Sequence, residues 1–347
     1  MARMDIRGGG RVLVTGGGGF IGSELVRQLV NYCEKVIVVD NLVNGRRENL
    51  DGVEEGRFEF YASDIRDASR MAELMRGINI VYHLACLGVR HSIHSPFENH
   101  EVNASATLNL LSLAKAGGVK RFVYVSSSEV YGPARWVPMT EDHPPFPMTV
   151  YGAAKLAGEC YARAFQRTYG YPTVVVRPFN TYGPRCHHEG DSGEVIPRFV
   201  LRCLLDKPMV IFGDGTQTRD FTYVSDTAKG ILLAGLMDEC VGETINIGSG
   251  REISVNDLGK EIAVAAGRPN SSIVHDRPRP GDVSRLYADT GKASRLLEFV
   301  PGVSLREGLK KVAQWYLKHE RSLEQMFQEE RLYNWKAGRS EYDVSKP

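Results

Sequence analysis

Tyr151 and Lys155 stand four residues apart in the stretch YGAAK, a spacing that puts both side chains on one face of a helix. An ammonium beside a phenol stabilises phenolate and draws the tyrosine pKa down from about 10. A phenolate so placed can take a proton from a hydroxyl as hydride leaves the carbon that bears it. Upstream, the apolar run KRFVYV ends in SSSEVYG, residues 126–132, so three hydroxyls and a carboxylate follow what reads as a buried strand. Ser127 is placed to hydrogen-bond the same substrate hydroxyl. Ser126 and Ser128 are candidates to bind backbone or cap the next turn, and Ser128 is also kept as a substrate contact. Glu129 is not needed for hydride transfer. If the strand persists that far, Ser127 and Glu129 point to one face of the sheet.

A hydride needs an acceptor, and the amino-terminal region supplies a place for one. TGGGGFIG spaces Gly16, Gly19 and Gly22 by threes, after a strand and at the opening of a helix. Glycines there permit a tight turn and close backbone approach, and the helix amino end favours a pyrophosphate. Gly16, Gly19, Phe20, Ile21 and Gly22 are therefore the expected cofactor-binding stretch. The next strand ends at Asp40, whose carboxylate suits ribose hydroxyls and repels a 2′-phosphate, favouring NAD over NADP. Arg46 and Arg47 are in principle able to accept such a phosphate, but they lie beyond the ribose position. Asp64 and Ile65 are placed to flank the adenine, and the small Ala85 of HLAC lets the cofactor backbone pass close.

These groups need a scaffold that brings them to one edge. Short β-branched runs recur at 11–15, 35–39, 58–61, 80–84, 121–125 and 173–177, with helical patterns such as ELVRQLVNY and NASATLNLLSLAKAG between them. Strands apolar on both faces, alternating with helices, predict an α/β fold with a doubly wound parallel sheet. After about residue 180 the rhythm gives way to loops rich in Gly, Pro and charge. The expected division is a dinucleotide-binding Rossmann domain over 1–180, with later segments returning to it, and a smaller mixed α/β lobe over 181–320 at the carboxyl edge of the sheet. Residues 321–347 read as a helix and a loosely held tail.

Composition narrows the partners. The 347 residues are 42% hydrophobic and carry a formal charge of +1, which argues against bulk attraction to nucleic acid or an anionic membrane. No apolar run approaches the ~20 residues that span a bilayer, and the first residues lack the pattern of a secretory signal. Six cysteines without a CxxC pair read as reduced thiols in a cytoplasmic protein. Cys186-His187-His188 with Glu189 and Asp191 is the one cluster with metal-ligand chemistry; adjacent residues rarely converge on one ion, so it reads as a polar loop and no metal is expected.

The ordered set TGGGGFIG, Asp40, HLA, SSSEVYG, YGAAK, RPFNTYGPR, QTRDFTYVSD and RPGD resembles the extended short-chain dehydrogenase/reductase family, specifically its nucleotide-sugar epimerases, dehydratases and decarboxylases. The resemblance runs from about residue 10 to 315. It implies that Ser127, Tyr151 and Lys155 oxidise a sugar at C4 with tightly held NAD, that Asn180 and Tyr182 to Pro184 line the sugar-phosphate entrance, and that Arg219 and Arg279 grip the diphosphate. Residues 209–213 match the region against which the nucleotide base packs, and the helices around 103–117 and 151 resemble a pair that forms a homodimer interface. Glu129 then separates the subclasses. Epimerases of this type carry a small or hydroxyl residue there, dehydratases an Asp-Glu pair at 128–129, and decarboxylases acting on UDP-glucuronate a Ser-Glu pair, as here. The following EVYGPARWVPMTEDHP looks more like dehydratases that act on UDP-N-acetylhexosamines, so the expectation leans to dehydration of a UDP-sugar, with 4-epimerase and decarboxylase as alternatives. With Ser128 in place of Asp, Cys86, His91 and His94 are the candidates for the missing acid. A non-catalytic NAD-binding sensor has no use for an intact Ser127, Tyr151 and Lys155.

Overall fold

The computed structural model describes residues 3–6, 9–279 and 283–335. All six strand runs form. β1 (Arg11–Thr15), β2 (Lys35–Asp40), β3 (Phe58–Ala62), β4 (Ile80–His83), β5 (Arg121–Val125) and β6 (Thr173–Pro178) are joined by β7 (Thr244–Ile247) in one sheet. The order is β7-β6-β5-β4-β1-β2-β3, and every pairing is parallel. The chain departs from β1 in opposite directions to β2 and β4. The loops after β1 and β4 therefore part, and a crevice opens at their carboxyl ends, where such sheets take ligands.

Alternate strand residues feed two cores, as burial on both faces requires. On one face Val12, Val14, Val36 and Val38 pack with α1 (Phe20–Leu29). On the other, Leu13, Ile37, Val81 and Phe122 pack with α2 (Ala106–Ala116) and α3 (Val150–Tyr169). The lobe has its own core, built by α4 (Val195–Leu204), α6 (Val255–Ala265) and α7 (Leu305–Leu317), with Phe20 and Ile21 of α1 against it. Between α4 and α6 the chain returns to the sheet through α5 (Val224–Leu236), which packs on α1, and then β7. The lobe thus closes over the crevice from the carboxyl side.

Two expectations need correction. The strand carrying the hydroxyls ends at Val125, and Ser128–Val130 is a single 3₁₀ turn, so Ser127 and Glu129 do not share a strand face. The reason is local: Ser127 Oγ accepts from the Glu129 N–H at 3.2 Å, and a serine that binds nearby backbone favours a turn over a ladder. The described part of the expected tail is docked rather than loose, and residues 336–347 lie outside the described residues. After a short helix, Leu323–Phe327, residues 329–335 dock onto the lobe, with Gly190 N–H donating to Glu329 O at 2.8 Å.

Among the described residues no helix is long and apolar enough to cross a membrane. All six cysteines are free.

Candidate active site

The crevice is a cleft of about 1380 Å³ lined from the glycine turn, past Ser127, Tyr151 and Lys155, to the lobe. At its dinucleotide end α1 starts at Phe20 with no side-chain cap and no acidic residue in its first turn, so its leading amides face the cleft without a side-chain competitor. The turn tolerates nothing larger than hydrogen at Gly22, where a Cβ would sit 2.1 Å from Gly16 O. Close backbone packing and uncapped amides are what a pyrophosphate needs, so the residues present fit a dinucleotide. Ala85 lies alongside, its N–H on Thr15 Oγ1 at 3.2 Å.

Asp40 does more than face a ribose. Its two oxygens accept from Gly18 N at 2.9 Å and Leu42 N at 2.8 Å, which ties the glycine turn to the end of β2. Burial raises its pKa, and those backbone hydrogen bonds oppose the rise. Arg46 is turned to Glu189 at 3.3 Å, and Arg47 lies over the Phe60 ring at 5.7 Å, so both guanidinium groups have other partners. Asp64 lines the cleft with Ile65. Its carboxylate is held by Arg66 and Asn41, and the Arg66 hydrogen bond brings its pKa down to about 2.

Tyr151 and Lys155 lie on the buried face of α3, which Thr149 caps through Gly152 N at 3.0 Å. A Cβ on Gly152 would meet Glu129 O at 2.9 Å, so the helix start is pressed against the Ser128–Val130 turn. Lys155 Nζ donates to Val125 O at 2.8 Å and stands 6.0 Å from the Tyr151 ring centre. The effect on the phenol is opposite to the expected one. Burial holds the Tyr151 pKa well above its usual value, and the charges of Cys86, Glu129 and Glu194 push it the same way, while a Ser127 hydrogen bond opposes them. Burial depresses Lys155 itself. Beneath them His83 is fully buried, with Thr15 Oγ1 on Nδ1 at 2.7 Å and Thr107 Oγ1 on Nε2 at 2.9 Å; burial, aided by Lys155, pulls its pKa down to about 3.

Toward the lobe, Asn180, Arg219 and Arg279 all line the cleft, as does Ser128, which is buried. Asn180 Nδ2 is a buried donor with no hydrogen-bond partner within the protein, as a ligand contact would be. Pro280 to Asp282, the rest of RPGD, fall outside the described residues. Cys86, His91 and His94 also reach the cleft. His91 faces Glu98 at 3.2 Å and His94 faces Asp191 at 3.6 Å. His187 and His188 are engaged by Glu189, and among the described residues no group of three metal-ligating side chains converges.

Sequence reading missed several residues. Glu194, ion-paired to Arg90 at 3.5 Å, is close enough to act on Tyr151, yet nothing in its surroundings marks it. Asn103 and Asn99 hold the loop after β4: Asn103 Oδ1 accepts from Leu87 N at 2.9 Å and both amides donate to Leu87 O. Their spacing of four puts both on one face of the helical stretch, and that was a usable signal. Glu330, Arg331, Asn334 and Trp335 line the cleft from a segment that reads as tail.

Residues 12–248 match the model of a family described as "NAD dependent epimerase/dehydratase family". The chain belongs to that family. Members similar to it differ in chemistry. It is 37% identical over 314 residues to a putative UDP-glucose 4-epimerase of Methanocaldococcus jannaschii, covering 90% of this chain and all of that protein. It is 36% identical over 327 residues to a UDP-N-acetyl-alpha-D-glucosaminuronate decarboxylase of Bacillus cytotoxicus, covering 89% and 98%. Among solved structures, DesIV, a dTDP-glucose 4,6-dehydratase of Streptomyces venezuelae with NAD bound, superposes with a TM-score of 0.82 at 36% identity, covering 89% and 97%. The fold, the cofactor NAD and the broad class of nucleotide-sugar epimerase/dehydratase follow from family membership, while the relatives are named for three different reactions, epimerisation, decarboxylation and dehydration.

Proposed function

We propose that this chain binds a UDP-sugar, oxidises it transiently at C4, and then removes the C5 proton through Glu129, with loss of water as the leading outcome. The observation that carries the reading is the convergence of Ser127, Tyr151 and Lys155 with a carboxylate, Glu129, whose charge acts on Tyr151. Bound NAD supplies the hydride acceptor and a positive charge to a cleft that otherwise holds Tyr151 protonated. Tyr151 takes the proton of the C4 hydroxyl, and Ser127 holds that hydroxyl by a second hydrogen bond. Lys155, fixed on Val125 O, keeps an ammonium beneath the phenol and orients it. A ketone at C4 acidifies C5, so a carboxylate there has a task that C4 epimerisation does not require.

Loss of carbon dioxide from a UDP-glucuronate is the second reading, and Ser128 is the observation that favours it. Departure of water needs a group to protonate the leaving hydroxyl, and Ser128 is no acid; decarboxylation needs none. For water loss, the acid is to be sought among Cys86, His91 and His94, which all line the cleft. Mass spectrometry of the product from a panel of UDP-sugars separates the outcomes. Loss of water supports the first reading, loss of carbon dioxide the second, and an isomer of unchanged mass moves 4-epimerisation ahead of both. A homodimer formed through α2 and α3 belongs to the same proposal.

A further inference from the structure

The cleft ends at a wall that the family match, which stops at residue 248, does not include. This wall is the segment from Glu330 to Trp335. Its docking is specific. Glu330 Oε1 accepts from Arg198 Nε and Arg202 Nε, both at 2.9 Å, and Arg198 also donates to Leu332 O at 3.1 Å. Asn334 is buried and donates to Gly193 O at 3.0 Å, while Arg331 pairs with Asp191 at 2.7 Å.

The docked segment delivers an aromatic group to the cleft. Trp335 meets Phe212 edge-on, with ring centres 4.5 Å apart, and Tyr333 packs against both. Tyr333 is itself fixed by its hydroxyl on Asp276 at 2.6 Å and by Arg277 over its ring at 4.7 Å. Trp335 and Phe212 are only partly buried, and both line the cleft. Two cationic side chains, Arg219 and Arg279, line the same cleft, and Gln217, two residues before Arg219, donates to Phe212 O at 2.9 Å. Cations for a diphosphate next to flat apolar rings for a base is the chemistry of a nucleoside diphosphate site. Glu330 lines the same cleft. The Glu330 side chain is 2% exposed, and its second oxygen, Oε2, has no hydrogen-bond partner within the protein. A buried acceptor of this kind suits a ribose hydroxyl or a base N–H.

We propose that Glu330 to Trp335 form the outer wall of the nucleoside subsite, with the Trp335 ring packing on the base and Glu330 Oε2 accepting from the nucleoside. The inference rests on the nucleotide-sugar reading above and adds residues from outside the matched region to it. UDP is the probe. Stacking of a base on an aromatic ring, lost on alanine substitution, weakens binding by about five- to 150-fold. Trp335→Ala should weaken UDP binding by about tenfold or more in calorimetry and raise KM for the sugar substrate likewise, with kcat and the content of copurified NAD nearly unchanged. Trp335→Phe should recover most of the affinity. Of the three tryptophans, Trp335 alone lines this cleft, so UDP should quench wild-type tryptophan fluorescence and fail to quench the Trp335→Phe variant. Wild-type-like UDP affinity in Trp335→Ala, or quenching that persists without Trp335, overturns the assignment and leaves the nucleotide-sugar reading intact. A wild-type protein that binds no UDP overturns both.

Discussion

Replacing Asp40 should damage the glycine turn before it changes cofactor choice. Both carboxylate oxygens are in use, on Gly18 N and Leu42 N, and the side chain is 7% exposed. Hydrogen bonds to a charged group are worth about 1.5–3 kcal/mol each. Burial offsets part of that, as the raised pKa shows: a carboxyl whose folded pKa is raised has its full stability below the unfolded value and loses stability as pH rises through the folded one. The net cost of Asp40→Ala at neutral pH is therefore nearer the value of one bond, about 2 kcal/mol. With unfolding entropy near 2.1 cal/mol/K per residue, a chain of 347 residues loses about 3 °C of Tm for that cost. The same loss frees the turn that receives the pyrophosphate, so NAD affinity should fall about tenfold for every ~1.4 kcal/mol of lost organisation. Asp40→Asn keeps one acceptor oxygen and should fall between. Melting curves with and without NAD, and titrations with NAD and NADP, read both effects. An Asp40→Ala protein with wild-type Tm and NAD affinity that has merely gained NADP would refute the tether.

Glu129→Gln should slow the step after C4 oxidation by about 10²–10⁴ and abolish solvent deuterium at C5 of the product, with UDP affinity unchanged; wild-type turnover would make this acid a structural group. His83 should make the fold acid-sensitive. Its folded pKa of about 3 lies below its usual 6.5, so its stability is present above 6.5 and lost as pH falls toward 3, about 2 kcal/mol of it by pH 5. Denaturant melts should show that slope, and an equal slope in His83→Gln would assign it elsewhere. Light scattering at micromolar concentration should give a dimer mass; a monomer removes α2 and α3 as an interface.

The parallel sheet was legible because β1, β2, β4, β5 and β6 are apolar on both faces and need no distant information to be seen. β7 escaped individual notice, since TINI is four residues long and its partner Thr173–Pro178 lies some seventy residues earlier. Spacing alone located the glycine turn, Asp40, Tyr151 and Lys155 at one edge. What spacing does not carry is burial, and burial sets the ionisation of Tyr151 against the cation one turn away. The docked carboxyl-terminal segment was hidden for a related reason. Glu330 and Asn334 are polar, and their side chains are buried only because Arg198, Arg202 and Gly193 come from far back in the chain.

The setting of Glu129 bears on which reaction this fold performs. Its turn is anchored on one side by Ser127 Oγ, which receives the Glu129 N–H. On the other side Tyr131 is fully buried, with its hydroxyl on Asn246 Oδ1 at 2.7 Å and the Arg177 guanidinium 4.6 Å from its ring. Arg177 in turn holds Glu159 of α3 through two bonds of 2.8 and 2.7 Å. A buried ion pair of this kind contributes little net stability, but it fixes geometry, because breaking it strands a charge. It locks the helix that carries Tyr151 to the turn that carries Glu129. Both anchors would hold that turn with an alanine at 129. A carboxylate kept half-exposed in the cleft, beside a phenol whose ionisation it opposes, is a liability for simple C4 oxidation and return. Under the proposed function it has a task, the removal of a second proton at C5.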